Sequence, residues 1–162
     1  MPEAVKAFLD AHQIHYTLHE HPAVFTVAEA DARANTVPGY HCKNLFIREK
    51  NTGRYYLVSL DAHKRLDFKL LKTITGSREF RFCSPDELQE KLGLTPGSVS
   101  PLGLVNDTRH EVTFLIDEEM WQAPSVSIHP NVNTASLEIP QVSFHKLVST
   151  FENPHHIVQF TA

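Results

Sequence analysis

The sequence predicts an α/β domain with a mixed, largely antiparallel central sheet and helices around it. Short apolar stretches with strand-like patterning are interspersed with helical ones along the whole chain. Many connections are of hairpin length, which suits antiparallel neighbours better than the long crossovers of a doubly wound parallel sheet. No repeat, low-complexity tract or linker divides the 162 residues, a length that suits one domain with a real core.

Residues 2–12 read as a short amphipathic helix, with Val5, Phe8 and Leu9 at helical spacing and Pro2 in the first turn. Ile14, Tyr16 and Leu18 then alternate with His15, Thr17 and His19, the pattern of a half-buried strand that His21-Pro22 ends. Thr26, with Glu29 three residues on, predicts a capped helix to about residue 34, followed by a loop over 35–39. Strands are expected over 42–48 and 55–60, joined by the hairpin signal Asn51-Thr52-Gly53. A helix follows around 67–73, closed by Gly76, and then a short strand over 79–83. Ser84-Pro85-Asp86-Glu87 is the best local signal: Ser84 caps, Pro85 opens the helix, Glu87 completes the box and Gly93 ends it. Strands are expected over 112–116, 126–129 and 135–139, a helix over 143–151 and a last strand over 157–160.

Composition narrows the function. No apolar run approaches the roughly 20 residues of a membrane span. The N-terminus lacks the basic-then-apolar order of a secretory signal. Cys42 and Cys83 form neither a C-x-x-C pair nor a disulfide framework, so a reducing, cytoplasmic setting is the expectation. The net charge of −4 argues against holding long nucleic acid, DNA included, through many phosphates, whereas one RNA terminus needs only a few cations.

The stretch Gly97-Ser98-Val99-Ser100-Pro101-Leu102-Gly103-Leu104 stands out between the capped helix and an apolar strand. Glycines let a backbone approach a ligand and turn its N–H groups toward it; prolines stiffen the loop beforehand. It reads as a turn or as the wall of a binding site, with Lys43-Asn44 and His129-Pro130-Asn131 as facing partners. Lys43 is either a solvent-facing strand residue or an ammonium for a phosphate or carbonyl. Asn44 can donate and accept at once, which suits a ribose hydroxyl. The run from His129 to Thr134 is a turn with Asx hydrogen bonds or a polar corner for an amine or water.

Other features have plainer readings. His15, His19 and His21 are strand histidines facing solvent, and no metal site is assigned to them. Cys42 and Cys83 lie in apolar strands as structural thiols. Ser98 and Ser100 lack a G-x-S-x-G elbow and are not nucleophiles. Asp117-Glu118-Glu119 reads as a solvated turn, and Trp121 as a packing residue.

Lys43-Asn44-Leu45-Phe46, the loop Gly97-Ser98-Val99-Ser100-Pro101 and the turn from His129 together resemble the YbaK/prolyl-tRNA-synthetase-associated editing domain family over essentially the whole chain. Within it the likeness is to free-standing prolyl-tRNA editing proteins of the ProXp-ala/PrdX type. The resemblance implies an α/β fold with a mixed sheet and hydrolysis of mischarged alanyl-tRNA for proline. It implies no metal, no cofactor and no covalent intermediate. The tRNA acceptor end would be the partner, with prolyl-tRNA synthetase as a further one and no membrane. Cysteinyl-tRNA deacylation of the YbaK type and a non-catalytic tRNA-binding module are the alternatives. Lys43, Gly97 and His129 become candidates for the reaction. Asn44, Ser98, Val99, Ser100, Pro101, Asn131 and Thr134 become candidates for substrate binding. In that scheme N–H groups of residues 97–100 stabilise the oxyanion and Lys43 holds the terminal adenosine's phosphate. Asn44 orients the ribose hydroxyl, and His129 orders the substrate or water.

Overall fold

The computed structural model describes residues 1–23, 28, 29, 32 and 37–160. In chain order the elements are α1 (Glu3–Ala11), β1 (Thr17–Glu20), β2 (Tyr40–Glu49), β3 (Tyr55–Asp61), α2 (Phe68–Thr75), β4 (Phe80–Phe82) and α3 (Pro85–Leu92). A 3-10 helix (Pro101–Asn106) follows, then β5 (Val112–Asp117), α4 (Glu118–Gln122), β6 (Ser125–Ile128), β7 (Ala135–Pro140), α5 (Gln141–Thr150) and β8 (His155–Val158). The helix expected over 26–34 falls mostly outside the described residues.

The strands lie in the order β1-β7-β6-β2-β3-β5-β8, with β4 also paired to β2. Four pairings are antiparallel and three, β2–β6, β3–β5 and β5–β8, are parallel. The expected mixed sheet is present, and the hairpin β2–β3 pairs in register from Cys42–Asp61 to Arg48–Tyr55.

β3 explains the layering. It is buried along its length up to Asp61, because the sheet is covered on both sides. Its alternate residues Tyr55 and Leu57 enter one core with Phe114, Phe144 and Leu102, under α1, α3, α5 and the 3-10 helix. Tyr56, Val58 and Leu60 enter a second core with Ile47, Leu71 and Leu115, under α2. β2 is divided the same way: Cys42 and Phe46 belong to the first layer, Leu45 and Ile47 to the second.

Local signals are realised where local chemistry suffices. Ser84 and Glu87 make the reciprocal capping box, and Gly93 ends α3 in the left-handed conformation. Asp67 caps α2 by accepting from the N–H groups of Lys69 and Leu70, and Gly76 closes it.

Three expectations change. The strand after α1 begins only at Thr17, and Leu18 is exposed, so the alternation marked no buried face: Ile14 is buried from the turn before the strand instead. The segment 97–104 is not wholly loop, since its second half is the 3-10 helix, capped by the Ser100 hydroxyl. The acidic run is not a solvated turn. Asp117 is buried and takes hydrogen bonds from Lys64 Nζ at 2.8 Å and Tyr40 Oη at 3.0 Å. Lys64, itself buried, also reaches Glu119 and the Phe160 carbonyl, both at 2.9 Å. Burial pulls the Lys64 pKa down, but the bonds from Asp117 and Glu119 outweigh it and leave it raised. A carboxylate so deep would be costly without that cation.

Candidate functional site

The site forms where the sheet opens. β6 pairs with β2 only at Tyr40 and His41, and β4 pairs with it only from Ile47 onward. Between them, among the described residues, the edge of β2 near Asn44 has no strand partner. Asn44 stands opposite Ser59 of β3 and accepts a hydrogen bond from its buried hydroxyl. Its Nδ2 donates to the Val99 carbonyl at 3.2 Å, which ties the loop to the sheet.

A second tie holds the loop to the end of β6. Ser100, fully buried, donates its hydroxyl to the His129 carbonyl while its Oγ accepts from Leu102 N–H at 3.2 Å. Gly103 lets the 3-10 helix lie against the end of α3, since a Cβ there would stand 2.6 Å from Leu94 Cδ1. The loop is therefore set by the Asn44 side chain of β2, by its own Ser100 hydroxyl on the His129 carbonyl, and by packing beneath it.

These ties border a shallow, open cavity of about 190 Å³, lined among the described residues by Cys42, Asn44, Gly97, Val99 and His129. Gly97 has φ +88°, and nothing lies within 4 Å of where its Cβ would be. The positive φ, and not crowding, is what calls for glycine. The Ser98 N–H is used in a turn to the Thr95 carbonyl at 3.0 Å, so it is not available to a ligand. Among the described residues, the N–H groups of Gly97, Val99 and Ser100 have no acceptor. Pro101 is buried as the first residue of the 3-10 helix.

His129 is oriented and kept neutral. Its Nδ1 bonds to the Ala135 carbonyl at 3.0 Å, which assigns the proton to Nδ1 and leaves Nε2 an acceptor. Burial lowers its pKa against the raising effect of that bond, and His21 and His41 lower it further. His21 is buried, not solvent-facing, and bonds Ser136 Oγ at 2.9 Å through Nε2; its ring lies 6.4 Å from that of His129. Asn131 sits at φ +63°, and its buried Oδ1 has no hydrogen-bond partner among the described residues. Thr134 is exposed, and its carbonyl accepts the His21 N–H at 3.0 Å.

Lys43 is not brought to this cavity. Strand alternation turns it to the α2 side, with Leu45 and Ile47, while Cys42 and Asn44 face the cavity. It makes no hydrogen bond or ion pair among the described residues. Two contributors went unread in the sequence. Cys42 is a cavity wall, which its i, i+2 relation to Asn44 could have indicated; burial pushes its thiol up to about 12, so it is neutral. Ser59 is the anchor of Asn44, and its only trace was a polar residue inside an apolar run.

A larger cavity of about 780 Å³ lies on the other side of the sheet, between α2 and β3, β5 and β8. It is broad and lined by Leu70, Ile74, Leu115 and Ile157 with Arg54 and His156. The smaller cavity has the better composition for chemistry, because residues with unpaired backbone donors, Gly97 and Val99, and the imidazole of His129 line it together. Size alone does not identify a reaction site.

A family model described as the aminoacyl-tRNA editing domain matches residues 21–147. The chain is 36% identical over 157 residues to the prolyl-tRNA editing protein ProX of Acetoanaerobium sticklandii, covering 97% of this chain and 96% of that one. It is 30% identical over 158 residues to prolyl-tRNA synthetase associated domain-containing protein 1 of Danio rerio, covering 96% and 85%. A crystal structure of a proposed trans-editing enzyme for prolyl tRNA synthetase superposes with a TM-score of 0.76 at 19% identity, over 100% of this chain and 99% of that one. That likeness speaks for the fold, and the sequence matches speak for the family. The chain belongs to the aminoacyl-tRNA editing domain family.

Proposed function

We propose that the protein is a trans-editing aminoacyl-tRNA deacylase that hydrolyses the alanyl ester of mischarged proline tRNA. The observation that carries this reading is one small cavity lined by Gly97 and Val99, with unused backbone donors, and by His129, with a neutral acceptor nitrogen. The likeness to a protein named for prolyl-tRNA editing supports proline tRNA as the substrate carrier. The cavity is smaller than the roughly 300–1,000 Å³ of ordinary ligand pockets, and its short lining side chains support a small aminoacyl group as the occupant.

An aminoacyl ester is already activated, so positioning and charge stabilisation are what it requires. Water adds to the carbonyl carbon, and the oxygen that becomes negative is received by N–H groups of Gly97, Val99 and Ser100. The bond from that carbon to the ribose oxygen then breaks, the ribose oxygen takes a proton, and alanine and uncharged tRNA leave. His129 Nε2 orders the water or the substrate's amino end. Asn44 is first a positioning residue, since it fixes Val99; its second amide hydrogen is left for a ribose hydroxyl. The Asn131–Thr134 turn is assigned the amino end, with the unpartnered Asn131 Oδ1 as acceptor. Lys43 is assigned an RNA phosphate outside the cavity. Prolyl-tRNA synthetase is assigned as the partner that adds affinity, a reading the name of the zebrafish relative supports.

The test is ester loss from alanyl-, cysteinyl- and prolyl-charged proline tRNA. Loss of alanine with prolyl-tRNA spared is expected. Faster loss of cysteine would move the reading to a cysteinyl deacylase, and binding without hydrolysis would make the protein a tRNA-binding module.

A further inference from the structure

Cys42 has no part in the chemistry just described, yet it lines the cavity. It lies on β2, and the strand is held on both edges: Cys42 pairs with Asp61 of β3, and the preceding His41 pairs with Ser127 of β6. Behind it the thiol packs against the main apolar core. Its Sγ is 3.9 Å from Asn44 Oδ1, the amide that anchors the glycine loop. The other apolar lining residue, Val99, belongs to the loop itself. A wall on a paired strand backed by close-packed core cannot retreat to admit a larger group.

We propose that Cys42 is the specificity-determining residue of this cavity, a fixed wall that admits an ester with a methyl side chain and excludes one with a ring. The inference rests on the deacylase reading and assigns that site's size limit to one residue on β2. The thiol acts by volume. It is protonated and supplies no nucleophile.

The experiment measures initial deacylation rates on alanyl- and prolyl-charged proline tRNA for the wild-type protein and for Cys42→Ala, Cys42→Val and Cys42→Ser. Each ratio is taken on one protein sample, so a partly unfolded fraction cancels. Removing the sulfur enlarges the cavity by about one heavy atom, and one methylene in an apolar pocket is worth about 10–200-fold in discrimination. Cys42→Ala should raise the prolyl-to-alanyl ratio about tenfold or more, and Cys42→Val should lower the alanyl rate by a similar factor. Cys42→Ser, whose oxygen is smaller and lies closer to the backbone than the sulfur, should shift the ratio in the same direction as Cys42→Ala and by no more. A ratio unmoved in Cys42→Ala, with the alanyl rate unmoved in Cys42→Val, overturns the fixed-wall inference while leaving the deacylase reading intact. A prolyl-to-alanyl ratio raised as much in the larger Cys42→Val as in the smaller Cys42→Ala also overturns it, because volume would not be the cause. A wild-type protein that spares every ester overturns the deacylase reading and this inference with it.

Discussion

Asn44 is the residue at which the fold and the candidate site are most tightly joined, and its truncation can be worked out in advance. In Asn44→Ala the buried Ser59 hydroxyl loses its acceptor and the Val99 carbonyl loses its donor at 3.2 Å. A buried polar group left unpaired costs about 1–3 kcal/mol. Partial rehydration at the cavity mouth relieves Val99 more than Ser59, so the two together should cost about 2–4 kcal/mol. Against a domain stability of about 5–15 kcal/mol the variant stays folded. With a urea slope near 2 kcal/mol per molar, the midpoint should fall by about 1–2 M. Equilibrium urea unfolding followed by Trp121 fluorescence measures this. Adding Ser59→Ala removes the stranded hydroxyl, so the double variant should recover about 1 kcal/mol relative to additivity. Deacylation by the folded Asn44→Ala protein should drop about 100-fold, as when one donor of a preorganised oxyanion site is lost. A midpoint shift below 0.3 M, or strict additivity with Ser59→Ala, would refute the structural argument. Undiminished hydrolysis would refute the functional one.

Lys64→Met strands the buried Asp117 carboxylate, so it should cost about 3–5 kcal/mol, and Lys64→Met with Asp117→Leu should recover most of it; thermal melts of both test this. Gly97→Ala places a side chain at φ +88°, which should cost about 1–2 kcal/mol in urea unfolding and slow deacylation by narrowing the cavity mouth. Lys43→Ala should raise KM for charged tRNA with little change in kcat, and an unchanged KM would remove Lys43 from RNA binding. His129 has a folded pKa below its unfolded value of about 6.5. In the window between the two values the unfolded chain binds more protons, so its stability contribution is full above about pH 6.5 and is lost as pH falls through the folded pKa. Urea midpoints of wild type and His129→Gln from pH 5 to 8 should differ in slope only in that acidic window, and deacylation should stay flat above it.

The sequence was most legible where a structural decision is made within a few residues. Ser84 finds Glu87 three positions away, and Asp67 caps α2 by accepting from the N–H groups two and three residues on. The paired β2–β3 strands were read almost to the residue, because the hairpin signal and the apolar runs agree. The acidic run was misread because its partner is remote: Lys64 lies 53 residues before Asp117, and nothing near Asp117 announces it. The glycine loop was legible as a candidate cavity wall, but not which of its N–H groups the fold itself uses. The Ser98 N–H is used up by Thr95, a consequence of the turn geometry alone.

By itself the sequence determined the α/β class, the caps and most strands, and the family through Lys43-Asn44, the glycine loop and the His129 turn. These depend on residue type and spacing along the chain. Only the tertiary structure decided which of those residues share a cavity. It joined Asn44 to Val99 across 55 residues, tied Ser100 to His129 and put Cys42 in the wall. It also turned Lys43 away from its neighbour Asn44, because adjacent residues of a strand face opposite layers. A motif records which groups are present; the pleat and the pairing of β2 determine which of them face the same cavity.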